Sequence, residues 1–384
     1  MKTPGTSKSP TPIPYGRHWI EQDDIDAVVE VLRSDWLTTG PKVGEFERAF
    51  AHFTGAKEAV AISNGTAALH AIMNALGIGP GDEVIVPTMT FAASSNCVVY
   101  QGGTPVFVDV QPNTLLIDPA AVESKITPRT KAIVAVDYGG QPCDYDALRK
   151  IATKHHLALV ADACHSVGGS YKNRSVGTLA DLSSFSLHPV KHITTGEGGF
   201  ITTDNPELAV KMRRFRNHGI STDHRQREMQ GTWFYEMTDL GYNYRITDFQ
   251  CALGLQQLKK LPAWIQRRQE IAHRYAAAFA GSDSIRPLNV LPGLSHAYHL
   301  YAVRVPATER ARLFNDLRSR GVGVNVHYLP VHLHPYYREK FGTQRGLCPV
   351  AESAYEQLLS LPMFPRMTDE NVETVISTMH ELAG

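Results

Sequence analysis

From Ala59 to Thr202 the chain repeats one alternation, and no other feature constrains its fold as tightly. Short apolar runs, each closing on a small polar turn, alternate with stretches of helical period. Ala59–Ile62, Glu83–Pro87, Pro105–Val110, Lys131–Val136, Leu157–Ala161, Leu182–Leu187 and Gly199–Thr202 read as strands. Between them, Ala67–Leu76, Ala92–Tyr100 and Asp144–His155 carry helical patterns. Strands spaced by helices imply an α/β fold with a mostly parallel central sheet, covered on both faces. Two amphipathic helices near the start, Glu21–Leu32 and Val43–Phe53, belong with this sheet.

The pattern then changes. Arg213–Gly231 is polar and rich in Arg, His and Gln, and Gly241-Tyr242-Asn243-Tyr244-Arg245 follows. A long helical pattern starts near Thr247 and runs to about Ala280, with Pro262 expected to kink or break it. Beyond lie a strand at His299–Val305, a helix at Thr308–Arg320, a strand at Gly323–His327 and a helix after Thr368, which make a smaller C-terminal α+β domain. The expected division is a flexible arm (1–14), a large domain (15–245), a linking helix (246–281) and a small domain (282–384).

Composition serves mainly to exclude. The chain has 384 residues, enough for more than one domain. Lysine plus arginine equals aspartate plus glutamate at 38 each, so no global field draws it to nucleic acid or an acidic membrane. No apolar run approaches the roughly 20 residues of a membrane span. The opening residues lack the apolar core of a signal peptide. Five cysteines without a C-x-x-C pair read as reduced thiols of a cytoplasmic protein. No G-x-G-x-x-G follows a strand, which argues against a nicotinamide dehydrogenase.

Ligands of open α/β sheets bind beyond the carboxyl ends of the strands. Four features sit there: the Gly65-Thr66 turn, Thr90-Phe91, Asp162, and the turn from Ser186 to Lys191. A strand, a polar turn and a helix at Ser63–Thr66 offer free N–H groups to an anion, although a plain N-cap by Ser63 or Asn64 reads equally well. Asp162 alone reads first as a helix cap, and His165 alone as an ordinary histidine. Cys164 and His165 are chain neighbours that do not face each other, so no thiol–imidazole pair is expected. His327, His332 and His334 lack a carboxylate or cysteine at ligand spacing, so no metal site is expected. Arg213, Arg214 and Arg216 read as a solvated helix face, with a sugar-diphosphate contact as the sharper alternative.

Lys191 stands between two strands, just before Gly196-Glu197-Gly198-Gly199. It is either a hairpin lysine on the surface or a buried amine. Lysine is seldom buried unless paired or used, and burial turns it into a nucleophile. An anion cradle, an aromatic wall, a carboxylate and an amine together suit pyridoxal 5′-phosphate. That cofactor needs donors for its phosphate, a carboxylate for its ring nitrogen and an amine for its aldehyde.

The same residues carry a resemblance. Ser63-Asn64-Gly65-Thr66-Ala67-Ala68-Leu69, Asp162-Ala163-Cys164-His165-Ser166, Ser186-Leu187-His188-Pro189-Val190-Lys191 through Gly199, Gly241-Tyr242-Asn243-Tyr244-Arg245 and His327-Tyr328-Leu329-Pro330-Val331-His332 stand in one order. In this the chain resembles the DegT/DnrJ/EryC1/StrS sugar aminotransferases, pyridoxal-phosphate enzymes of fold type I. The likeness covers nearly everything after the N-terminal arm. Val136–Pro142, His188–Gly199, Phe215–Gly219 and Ala252–Leu258 look most like the branch that serves pseudaminic acid biosynthesis, the UDP-4-amino-4,6-dideoxy-N-acetyl-β-L-altrosamine transaminases. Leu187 departs from the pattern, since many relatives have histidine there.

The resemblance implies roles. Lys191 would hold the cofactor as a Schiff base and later move the proton. Asp162 would keep the ring nitrogen charged, and His165 would lie beside the ring hydroxyl. Phe91 would stack on the ring, and Gly65, Thr66 and Ser186 would cradle the phosphate. Asn243 would reach that phosphate from the neighbouring subunit of a homodimer. Arg245, His327 and Tyr328 are the candidates for the sugar nucleotide. The implied reaction moves an amino group from L-glutamate to C4 of a UDP-4-keto-6-deoxy-N-acetylhexosamine, with the L-arabino series favoured. Another 4-keto sugar nucleotide and a non-catalytic cofactor-binding regulator are the alternatives. A sugar 3-dehydratase of the same family carries histidine in place of the lysine, so Lys191 counts against it.

Overall fold

The computed structural model describes residues 12–222 and 224–383. Its centre is a seven-stranded sheet. From one edge to the other the strands are Glu58–Ile62, Gly199–Thr203, Leu182–Ser186, Ala158–Asp162, Thr130–Val136, Glu83–Pro87 and Thr104–Val108. All run parallel except Gly199–Thr203, which pairs antiparallel with both neighbours. The mostly parallel α/β sheet expected from the alternation is therefore present.

Side-chain alternation explains how both faces are covered. Ala59, Ala61, Ile85, Ile133, Ala135, Leu159, Ala161, Phe185 and Phe200 point into one core. Val60, Ile62, Val84, Val86, Ala132, Val134, Val160, Leu182 and Ile201 point into the other. The first core takes Phe46 and Phe50 from the helix Pro41–Thr54, and Phe50 stacks on Phe200 with ring centroids 4.0 Å apart. The second takes the apolar face of Gly65–Ala75 and the helix Pro206–Phe215.

The helix Asp248–Ala278 begins in a capping box between Thr247 and Gln250 and runs unbroken through Pro262. The proline does not divide it. Its first turns pack on the helices Gln22–Leu32 and Pro41–Thr54, and Gly254 leaves room for the Phe46 ring of the latter; a Cβ there would lie 2.3 Å from that ring. Its last turns enter a third core with Ile271, Tyr275 and Phe279. That core lies under a three-stranded antiparallel sheet of Arg286–Pro287, Tyr301–Arg304 and Leu358–Leu361.

One expected strand is absent. Residues 323–327 make a single bridge, Asn325 to Ser360, and then turn away. Leu358–Leu361 takes the place beside Tyr301–Arg304 instead. The departure is physical: a full strand would hold Asn325, His327 and Tyr328 in the small sheet, whereas the turn delivers them to the cavity described below. The expected arm lies mostly outside the described residues. At its end Ile13 is buried and bridges Val322 in parallel. Among the described residues no helix is long and apolar enough to cross a membrane.

Candidate active site

The carboxyl ends of the parallel strands open onto a cavity of about 770 Å³. Glu58–Ile62 leads into Asn64, whose side-chain oxygen accepts from the Ala67 N–H at 2.8 Å and starts the helix Gly65–Ala75. The first N–H groups of that helix lack intrahelical acceptors, and Gly65 and Thr66 line the cavity. Gly65 admits the close approach of two neighbours. A Cβ at this position would lie 3.0 Å from Ser186 Cβ and 3.1 Å from Cys164 Sγ. Ser186, the last residue of its strand, completes this rim.

Asp162 ends the next strand and is buried. One of its oxygens accepts from Ser94 Oγ at 2.6 Å, and the other from the Cys164 N–H at 3.3 Å. Its contact with the backbone is thus a local turn bond rather than the helix cap that sequence alone favours. Ser94 is held in turn by Thr90 Oγ1 at 2.7 Å. Phe91 stands at the mouth, 60% exposed, its ring 6.2 Å from that of Tyr328.

Lys191 follows a tight turn and points into the same cavity. Its Nζ lies 3.5 Å from His299 Nε2. Burial holds its pKa below the ordinary lysine range, opposed by Cys164 and Asp162. The reading as an exposed hairpin lysine is therefore excluded by its position. His165 tilts against His299 with ring centroids 4.3 Å apart, and its Nε2 meets the Tyr328 hydroxyl at 3.2 Å. Burial, with the Lys191 charge, holds His165 well below the usual histidine range. His165 Nδ1 is buried with no partner among the described residues. His327 is fixed by Ser360 Oγ at 2.9 Å, and burial holds its pKa at about 4.

A group carrying an anion, a protonated ring nitrogen and a carbonyl fits this donor set. The cradle at Gly65, Thr66 and Ser186 has room for the anion, Asp162 faces the interior, and the orphaned His165 nitrogen offers a further partner. These residues can hold a flat ring between carboxylate and amine and can move a proton at Lys191 Nζ.

Two expected residues lie elsewhere. Asn243 is exposed and outside the cavity of its own chain. Arg245 lines a separate cavity of about 430 Å³ and bonds Asn217 Oδ1 at 2.8 Å, so within one chain it does not join His327 and Tyr328. The arginines before it are not a solvated face. Arg213 pairs with Glu58 at 2.9 Å and also bonds the Ala59 carbonyl. Arg216 pairs with Glu47 at 2.5 Å and bonds the Ala61 carbonyl. Glu47 accepts from the Ala61 N–H. Glu58–Ile62 is an edge strand, and these side chains satisfy its open backbone groups. Arg214 is half-buried and lines the second cavity.

Ser94 and His299 escaped the sequence reading. Ser94 sits in a helix whose pattern marks no polar face. His299 opens the expected strand His299–Val305 but precedes the observed strand Tyr301–Arg304, and its place at the strand's start is the only local signal. The third histidine of the discounted metal set, His334, stands at the N-cap of the helix Pro335–Phe341 without a side-chain cap bond, and among the described residues no group of three or more His, Cys, Asp or Glu side chains could hold a metal ion.

Comparison with known proteins identifies the family. The profile described as the DegT/DnrJ/EryC1/StrS aminotransferase family matches residues 18–380. The chain is 43% identical over 376 residues to the spore coat polysaccharide biosynthesis protein SpsC of Bacillus subtilis, covering 96% of this chain and 97% of that one. Spr1654 of Streptococcus pneumoniae, provisionally named a sugar aminotransferase, is similar in its PMP form at TM-score 0.92 and 35% identity, over 97% of this chain and 99% of that one. It has also been solved in its PLP form. PseC of Helicobacter pylori, an aminotransferase involved in the biosynthesis of pseudoaminic acid, is similar at TM-score 0.91 and 33% identity, over 97% of this chain and 99% of that one. With its fold type I sheet and this cavity, the chain belongs to the DegT/DnrJ/EryC1/StrS aminotransferase family, whose members use pyridoxal phosphate.

Proposed function

We propose that the cavity around Lys191 transfers an amino group from L-glutamate to C4 of a UDP-4-keto-6-deoxy-N-acetylhexosamine of the L-arabino series, in the cytoplasm. The observation that carries the aminotransfer is the meeting of Asp162, at the end of its strand, and Lys191, in the turn after the neighbouring parallel strand Leu182–Ser186, with the Gly65 cradle in one cavity. Bound pyridoxal phosphate supplies an electron sink for the carbanion formed when the donor loses its α-proton. Lys191 anchors the cofactor and, once released, carries that proton on Nζ. Its lowered pKa favours the free amine this needs. Asp162 holds the ring nitrogen protonated, with Ser94 aiming its carboxylate. His165 meets the ring hydroxyl, Phe91 covers the ring face, and Gly65, Thr66 and Ser186 bind the phosphate. His327 and Tyr328 face the sugar.

The working unit in this proposal is a homodimer with shared sites. Residues 15–245 form the cofactor domain, 246–281 the link and 282–384 the domain that closes the sugar side. Trp233, Phe234, Tyr235, Met237, Leu240 and Tyr242 form an exposed apolar ridge beside Asn243, and Trp233 is 85% exposed. A second copy covering this ridge brings Asn243 and Arg245 of the partner subunit toward the phosphate and the sugar nucleotide.

The higher identity to SpsC, 43% against 33% for PseC, favours a second reading in which the acceptor is another 4-keto sugar nucleotide destined for a polysaccharide. One experiment separates the readings. The purified protein is expected to be yellow, with a visible band that shifts on adding glutamate and is lost in Lys191→Ala. Product analysis with L-arabino and D-xylo 4-keto sugar nucleotides then identifies the acceptor. A colourless protein that gains no band with added cofactor sinks the proposal, and a coloured protein inert to every amino donor favours a regulator.

A further inference from the structure

His332 lies outside the cavity, yet its ring is bonded at both nitrogens. Nδ1 is 2.6 Å from Thr88 Oγ1, and Nε2 is 2.9 Å from Glu352 Oε1. The ring has no exposed surface. The Glu352 carboxylate also accepts from the N–H groups of Gly346 at 2.8 Å and Cys348 at 3.2 Å. It is an acceptor only, so Nε2 carries the ring proton. Nδ1 is then an acceptor, and Thr88 donates its hydroxyl hydrogen to it. The same hydroxyl oxygen accepts from the His332 N–H at 3.4 Å, which fixes the direction of the relay. Burial holds His332 below the usual histidine range despite Glu352, in keeping with a neutral ring.

The relay joins two pieces of chain that matter to the site. Thr88 directly follows the strand Glu83–Pro87 and precedes Phe91 by less than one helical turn of sequence. Its carbonyl accepts from the Val331 N–H at 2.9 Å. Tyr328 lies just ahead of Val331 on the other piece. Glu352 belongs to the helix Pro349–Gln357, whose first N–H groups are held by Asp109 at 2.8 and 2.9 Å, beyond the strand Thr104–Val108. Thr343 Oγ1 bonds the His332 carbonyl at 2.6 Å. The clamp is thus anchored in the large sheet at both ends, and its free arms carry Phe91 and Tyr328, two aromatic walls of the cavity whose rings lie 6.2 Å apart.

We propose that His332 is a positioning residue, and that the Thr88–His332–Glu352 relay sets the gap between Phe91 and Tyr328 and with it the grip on a flat ring. The proposal rests on the cofactor reading above for the identity of that ring. Thr88, His332 and Glu352 do not line the cavity, so the effect of the relay travels through these two walls.

The test titrates apoprotein with pyridoxal phosphate and records the visible circular dichroism of the bound cofactor. His332→Gln is the direct variant. Thr88→Val keeps a similar shape and removes only the hydroxyl, and Thr88→Ser restores it. The expected result is at least tenfold weaker cofactor binding and a diminished dichroic band in His332→Gln and Thr88→Val, with both recovered in Thr88→Ser. Thr88→Val that folds, melts below the parent and still binds cofactor with parental affinity and dichroism overturns the proposal, because the relay is then structural only. Should His332→Gln not fold, Thr88→Val against Thr88→Ser decides alone. Failure of the parent protein itself to bind cofactor refutes the reading of the cavity instead, so the two failures are distinct.

Discussion

Gly65→Ala is the sharpest probe of the anion cradle. The new Cβ would sit 3.0 Å from Ser186 Cβ and 3.1 Å from Cys164 Sγ. Carbon atoms prefer about 3.5–4.0 Å, so one neighbour must move by several tenths of an ångström. Overpacking of this kind costs about 1–3 kcal/mol. Part is returned, because replacing glycine reduces the freedom of the unfolded chain by about 0.4–1 kcal/mol. The apoprotein should therefore lose no more than about 2–3 kcal/mol of stability. The cofactor should be affected more strongly. Displacing Ser186 or the first turn of the helix removes at least one hydrogen bond to a charged phosphate, worth about 1.5–3 kcal/mol. That converts to roughly a 10- to 150-fold rise in the Kd for pyridoxal phosphate. The assay is absorbance titration of apoprotein, with thermal melting of the same samples. A variant that melts lower but binds cofactor within about twofold of the parent, a difference under 0.5 kcal/mol, would refute the placement of the phosphate at this turn.

Ser94→Ala removes the 2.6 Å donor to Asp162 and leaves a buried carboxylate oxygen without that partner. Urea denaturation of the apoprotein should register a loss of about 1.5–3 kcal/mol, and an unchanged midpoint would argue that Ser94 does not hold Asp162. In co-purified heterodimers of Lys191→Ala with Asn243→Ala, one of the two sites regains both residues if sites are shared. Activity should then reappear, although each homodimer is inactive; heterodimers as inactive as their parents count against sharing. Asp137 is fully buried, and burial pushes its pKa up to about 6 from an ordinary 3.8. The folded protein thus binds this proton more tightly than the unfolded chain. Its contribution is complete below about pH 4 and is lost as the pH rises through about 6, a swing of about 3 kcal/mol. Asp137→Asn should flatten that part of the stability–pH curve, and a slope unchanged between pH 4 and 6 would point to another group.

Most of the seven-stranded sheet is legible in the sequence, because parallel strands buried on both faces leave continuous apolar runs, several of which end at polar residues that line the cavity. Lys191, Asp162, Ser186 and Gly65 could be placed together for that reason alone. The C-terminal third of the chain is harder to read. Residues 323–327 have the composition of a strand, yet only one bridge forms, since the site needs that segment elsewhere. Ser94 is invisible because its role depends on a carboxylate far along the chain. Arg213 and Arg216 looked solvated because nothing local reveals that a glutamate from an earlier helix and the edge of the sheet will meet them. Pairings of this sort belong to tertiary structure and leave no periodic trace.

The arginine seal on Glu58–Ile62 also bears on how the protein behaves in company. Outward-facing carbonyls and N–H groups on a border strand are an invitation to any other extended chain. Here the Ala59 carbonyl and the Ala61 N–H and carbonyl already have their hydrogen bonds, supplied by Arg213, Glu47 and Arg216. Growth of the sheet across this border by another extended chain is thereby disfavoured. Loss of Glu47 would free the Ala61 N–H and leave Arg216 without its carboxylate, while Arg213 keeps Glu58, so the border would be partly uncovered and more open to pairing with another extended chain.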